Sequence, residues 1–237
     1  MIRTLQSRLR IALPLLLLMP ATAIAVTKPH LITFGKWTTV QWSPNTAASD
    51  DKPLPLTLKV RPLLVDARVK EFTLGAAHDV TDRLFVVRRA FRINDSLPQE
   101  PASPQHWQWQ PGGWLLVDRT TGHVSPLNLP EFDAFYSAAS WYRDYAAYCG
   151  VSDDGKKIYA VVAQISRRKP IVKWLIAEVK AEADTREILD SACKVPDWQR
   201  TPARVTFEAT PTKRTYVIRG HSVDLATSEA EDEEAAK

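Results

Sequence analysis

The groups of this chain with the reach to do chemistry are two cysteines, five histidines and three pairs of neighbouring carboxylates. Cys149 and Cys193 are an even pair, which in an oxidising compartment favours a disulfide; two buried free thiols are the alternative. Neither lies in a C-x-x-C pair or beside a histidine, so no metal site is assigned to them. His30, His78, His106, His123 and His221 stand at long spacings that build no local metal motif. His78-Asp79 and His221 near Asp224 are the best placed to join a site assembled from distant segments. Asp50-Asp51, Glu131 with Asp133, and Asp153-Asp154 fall in apparent loops and turns, where short acids cap the backbone. The chain has no G-x-S-x-G elbow, H-E-x-x-H helix, P-loop or dinucleotide fingerprint. No catalytic residue and no cofactor is therefore assigned. Asn94-Asp95-Ser96 matches the N-glycosylation triplet.

The aromatic residues carry the strongest binding signal, since eight tryptophans are many for this length. In His106-Trp107-Gln108-Trp109-Gln110 an extended backbone places both indoles on one face, about 7 Å apart. Trp107 and Trp109 are the candidate binding pair, for sugar rings or an apolar partner; packing into a core is the competing account. Tyr136, Trp141, Tyr142, Tyr145 and Tyr148 form a second aromatic stripe, which internal packing explains as readily.

These residues must be positioned in a particular compartment. Arg3, Arg8 and Arg10 precede an apolar run from Ile11 to Met19, then Pro20 and small residues. That order reads as a cleavable secretory signal over residues 1–25, with the mature chain starting near Ile24 or Val26. The run is too short for a spanning helix, and no later stretch is long enough. The product is expected outside the cytoplasm, in a periplasm or the extracellular space. Removing the three leader arginines from 31 basic residues leaves 28 against 27 acidic, a net charge of +1. Glu229, Glu231, Asp232, Glu233 and Glu234 give residues 226–237 the composition of an acidic, solvated tail. Upstream of it the positive charge is too diffuse to indicate nucleic acid.

Residues 26–225 read as one strand-rich domain. Trp37–Trp42, Leu84–Ile93, Tyr142–Val151, Lys157–Ile165, Pro170–Val179, Arg204–Ala209 and Thr215–Arg219 have the aromatic and β-branched content of strands. Trp114–Asp118 leads through Arg119-Thr120-Thr121-Gly122 into His123-Val124 as a hairpin, with Gly122 available for positive φ. Ser152-Asp153-Asp154-Gly155 is a second turn, and Pro211-Thr212-Lys213-Arg214 a third. The proline-rich stretches 43–55 and 94–112 read as loops; Ala181–Leu189 fits a short helix or a strand end. A quasi-repeat overlays Leu64-Val65-Asp66, Leu116-Val117-Asp118 and Ile176-Ala177-Glu178. A second set aligns Leu84–Val87, Ile158–Val161 and Thr215–Ile218.

Ser152-Asp153-Asp154-Gly155-Lys156-Lys157-Ile158-Tyr159 resembles the S-P-D-G-K-x-I turn of TolB-type, WD40-like β-propeller blades, with Asp153 where the family has proline. Leu116–Val124 resembles the outer-strand turn of the same blades. The resemblance spans about residues 114–179. It implies an all-β fold, a small or partial propeller-like array of antiparallel blades, and a binding role; a two-sheet β-sandwich is the alternative. Three functional expectations follow. A non-enzymatic binding or scaffolding protein of the envelope, with a protein partner, calls for an exposed aromatic or apolar patch. A glycan-binding or carbohydrate-active accessory protein calls for Trp107 and Trp109 side by side in a groove. A hydrolase or metalloenzyme calls for two histidines and a carboxylate converging in one pocket.

Overall fold

The computed structural model describes residues 29–42, 56–94, 107–179, 193–209, 212–219 and 222–226. The leader, the 43–55 loop, residues 95–106 with His106, the 181–189 segment, His221 and the acidic tail beyond Ala226 lie outside the described residues. So do Asp50-Asp51 and the end of the glycosylation triplet. The described chain is all-β: fifteen strands in three antiparallel sheets.

The first sheet holds β1 (Ile32–Phe34), β2 (Thr38–Trp42), β3 (Leu56–Val65), β4 (Arg68–Asp79), β5 (Leu84–Asn94), β6 (Trp107–Asp118) and β7 (Val124–Leu127). It runs β1-β3-β4-β5-β6-β7, with β2 also paired to β3. β1 takes the end of β3 near Val65, while β2 takes the end near Leu56. Register shifts in β3/β4, β4/β5 and β5/β6 bend the long strands, as bulges do. The sheet curls until β2 packs against β6. Val60, Leu74 and Ala90, with Val40, Phe72 and Trp109, fill one part of its interior. Leu63, Phe85, Val87, Leu115 and Val117 fill the other, under Ile32 and Phe34.

The second sheet is a meander of β8 (Ala139–Tyr142), β9 (Tyr145–Val151), β10 (Lys157–Gln164) and β11 (Val172–Glu178). The third is a meander of β12 (Asp197–Arg200), β13 (Ala203–Ala209), β14 (Thr212–Arg219) and β15 (Ser222–Leu225). These two pack face to face, as in a sandwich: Tyr145, Ala147, Ala160 and Val162 meet Val205, Phe207 and Tyr216. The opposite face of the second sheet, with Ala146, Tyr148, Val161 and Ala163, is covered by Leu129 and Phe132 of the segment after β7. Cover on both faces explains why β9, Tyr-Ala-Ala-Tyr-Cys-Gly-Val, carries no charged residue and is buried throughout. Each fully buried Val, Leu or Phe contributes roughly 1.5–3 kcal/mol.

Three elements differ from their sequence reading. Tyr142–Val151 is two strands, because Arg143 takes a left-handed φ of 52° and turns β8 into β9. Residues 107–112 belong to β6 and not to a loop. Pro111 fits there because β7 pairs only with Trp114–Val117, leaving that stretch of β6 with β5 alone. Residues 212–214, expected in the third turn, lie in β14. The expected turns at Gly122 and Gly155 are present, with φ of 65° and 70°. The quasi-repeat set 84–87, 158–161 and 215–218 falls on β5, β10 and β14, each interior to its sheet; in the other set, Ile176–Glu178 lies on an edge strand.

Candidate functional site

The first sheet is split. β3 and β4 are paired from Val65↔Arg68 to Val60↔Leu74 and then part. Beyond that point Leu56–Lys59 pair only with β2, and His78–Asp79 only with β5. Gly75, Ala76 and Ala77 have no cross-strand partner, because three residues of β4 oppose Val87 alone between the pairs Leu74↔Arg88 and His78↔Val86. Gly75 supplies the positive φ of 63° that starts this bulge. Two strand segments thus face one another across a fork without a ladder between them.

Hollows open on either side of the fork, of about 660 and 680 Å³, and share Lys59, Gly75 and Ala76. The side toward the second sheet is walled by Leu58, Leu74, Trp114 and Trp141. There Trp141 stacks on His78 (5.8 Å between centroids) and meets Trp114 edge-on (5.0 Å). His78 Nε2–H donates to the Arg143 carbonyl at 2.8 Å, joining β4 to the turn between β8 and β9. Both indole N–H groups, of Trp114 and Trp141, are buried without an acceptor. The other side is bounded by Trp37, 47% exposed, and Thr39.

The lining is cationic. Lys59, Arg61 and Arg88 border the hollows, and among the described residues no Asp or Glu does. Arg61 lies between Phe34 and Trp37, its guanidinium carbon 3.9 and 4.3 Å from their centroids. Such contacts are worth about 0.5–2 kcal/mol each. The one hydrogen bond of its guanidinium among the described residues is a long one, 3.4 Å to the Gly75 carbonyl, and its buried Nε has none. Burial pushes the Arg61 guanidinium below its usual value. Arg88 is committed: it donates to the carbonyls of Ala134 (2.6 Å) and Gly112 (3.3 Å). Burial lowers it too, against the pull of Asp133. Lys59 is exposed and has no ion pair among the described residues. The fork therefore offers two cations without an ion pair among the described residues, Lys59 and Arg61, beside aromatic walls.

The sequence-predicted pair lies elsewhere. Trp107 is 52% exposed at the start of β6, whereas Trp109 is half-buried against Phe72 at 5.1 Å. Arg92 approaches both rings, at 5.8 and 5.3 Å. They share a side of β6 but not an environment. The tyrosine stripe is divided: Tyr145 and Tyr148 are core residues on opposite faces of the second sheet, while Tyr142 stacks on Trp198. The carboxylates serve turns and ion pairs. Asp154 accepts from Ser152 Oγ and the Lys156 amide, Asp133 accepts from the amides of Phe135 and Tyr136, and Glu131 pairs with Lys173. His30 pairs with Asp66 at 2.7 Å. No group of three or more His, Cys, Asp or Glu suited to a metal occurs among the described residues. Cys149 and Cys193 form a disulfide that ties β9 to the strand-free stretch before β12. Sequence reasoning passed over Lys59 and Arg61. Their signal was modest: two cations at period two, and a Gly-Ala-Ala run inside a strand, where small residues mark bulges.

No protein-family model matches the chain, and no curated protein or solved structure matches it either, so the fork stands on its geometry.

Proposed function

We propose that this is an exported, non-enzymatic binding protein of the cell envelope or extracellular space, and that the fork between β3 and β4 is its binding face. One observation carries the reading: room, aromatic walls and cations without an ion pair among the described residues coincide where two strands have lost their ladder. A break in backbone pairing costs stability, since each unpaired polar group forgoes a hydrogen bond worth roughly 0.5–1.5 kcal/mol. Bulges and unpaired strands are tolerated where they serve a ligand. The Cys149–Cys193 disulfide supports an oxidising compartment, in keeping with the leader-like residues 1–25. No helix among the described residues is long and apolar enough to cross a membrane. The two four-stranded meanders support the blade resemblance, which we retain as a proposal about ancestry rather than chemistry.

The test is competitive capture. Envelope extract is passed over the immobilised protein, over Ala76→Trp, which fills the fork from an exposed position, and over Lys59→Glu. A species retained by the parent and lost from both variants supports the reading. Equal retention on all three, with unchanged unfolding midpoints, removes it.

A second reading, glycan contact at Trp107, is favoured by one observation: its exposed indole beside Arg92. Trp107→Ala in the same capture distinguishes it from the fork.

A further inference from the structure

We infer that the fork takes an extended peptide segment of a partner protein, carrying acidic side chains, as an added strand between β3 and β4. The inference rests on the fork being the binding face and names what fills it.

The backbone argues first. Among the described residues Leu56–Lys59 pair on one side, with β2, and their other edge faces the β4 side of the sheet. Across the fork, Gly75–Ala77 lack ladder partners on β5 as well as β3, the Gly75 carbonyl meeting only the Arg61 side chain. Unpaired strand edges template the addition of another strand, and main-chain hydrogen bonds supply most of the affinity in such complexes. An outer edge strand offers one such row, whereas the fork offers two facing rows. A peptide in extended form meets both; a sugar or nucleotide chain has no matching alternation of donors and acceptors.

Side chains then set the selectivity. A strand presents successive side chains to opposite faces. One face of the fork opens on Leu58, Leu74, Trp114 and Trp141, suited to apolar residues, with His78 and Arg88 there already bonded to backbone carbonyls. The other opens on Lys59, Arg61 and Trp37, suited to carboxylates. Arg61 is already held between two aromatic rings, its Nε buried and its Nη2 donating one long bond to the Gly75 carbonyl, so a carboxylate meets an ordered guanidinium at its Nη edge. The complementary segment alternates apolar and acidic residues and lacks proline. A single-stranded nucleic acid would bring a phosphate per nucleotide to two available cations, a poor match of charge density.

The experiment is selection of a displayed random dodecapeptide library on the full protein, with Ala76→Trp as counter-selection. Enrichment of peptides that alternate apolar and Asp/Glu residues is expected. Synthetic versions should weaken at least about tenfold on Arg61→Gln or Lys59→Gln, and similarly when alternate peptide nitrogens are N-methylated. Arg61→Lys, which keeps the cation, should lose less than Arg61→Gln, and Trp107→Ala should change nothing. Absence of parent-specific enrichment, enrichment of basic or proline-rich peptides, or indifference to N-methylation overturns the inference. If envelope capture depends on Ala76 and Lys59 but delivers a glycan or nucleic acid, the fork remains the binding face and the peptide assignment falls. If capture ignores both positions, the binding face itself was misplaced.

Discussion

Removing the Cys149–Cys193 bond should cost about 4 kcal/mol of stability, and the loss should be concentrated around β10 and β11. The bond closes a loop with a sequence separation of 44. In the chain-entropy account, opening a loop of that size returns about 13 cal/mol/K to the unfolded chain, or about 4 kcal/mol at room temperature. That is a large share of the 5–15 kcal/mol typical of a domain. Both sulfurs sit in a small cluster with Ile158, Ile176 and Ala177, so a Cys149→Ala/Cys193→Ala variant also forfeits a little packing. Reduction with the sequence unchanged separates the two effects. Urea unfolding of the oxidised, reduced and double-alanine proteins measures the three free energies, and amide exchange locates the change. The entropic argument fails if reduction costs less than about 1 kcal/mol with an unchanged urea dependence. Segment 150–192 would then be as confined in the unfolded chain without the bond as with it.

Three further outcomes are expected. Tyr148→Phe keeps the ring against Phe132 but strands the Pro130 carbonyl that the buried hydroxyl supplies, and should cost about 2 kcal/mol by urea unfolding. Gly122→Ala should be worse than Gly75→Ala. Both take positive φ, a strain of about 1–2 kcal/mol for a side chain, but only at 122 does a Cβ meet neighbours, Val65 at 2.8 Å and His30 at 2.9 Å; calorimetric midpoints rank the pair. Acid should destabilise the fold. Arg83 holds the Asp118 carboxyl below its usual value, Ser152 does so for Asp154, and Lys194 for Glu208. A carboxyl depressed in the folded state stabilises above its unfolded pKa and stops doing so as pH falls through the folded one. Stability should therefore drop from roughly pH 4 downward, and the drop should be shallower in Arg83→Gln; thermal midpoints against pH report both.

What the sequence made legible was local. Gly122 and Gly155 announce their turns because few other residues accept those dihedrals, and Asp118 and Asp154 stand where a short acid bonds the amides that follow it. The cysteine pair needed only parity and compartment. What stayed hidden depended on partners far along the chain. Tyr142–Val151 has the composition of one strand, yet Arg143 takes a left-handed turn within it and β8 folds back on β9. Pro111 breaks a strand in general, but not where the strand lacks a second neighbour. Trp107 and Trp109 share a side of β6 as their spacing requires, yet Phe72, 37 residues before Trp109, claims one and not the other.

The fork is the extreme case of that dependence. Nothing in Leu56–Lys59 shows that it parts from β4, and the Gly75-Ala76-Ala77 run gives only a modest sign of it. β3 pairs with β1 and β4 at its far end and with β2 at its near end, and β2 packs against β6. β4 meanwhile stays with β5 through His78 and Asp79. The small side chains of Gly75, Ala76 and Ala77 let β4 part from β3 without stranding a large apolar surface. Replacing Ala76 or Ala77 by a β-branched residue would bury more area and favour closure of the ladder. Small residues hold the fork open against that gain, and Lys59 and Arg61 set the charge of what can enter.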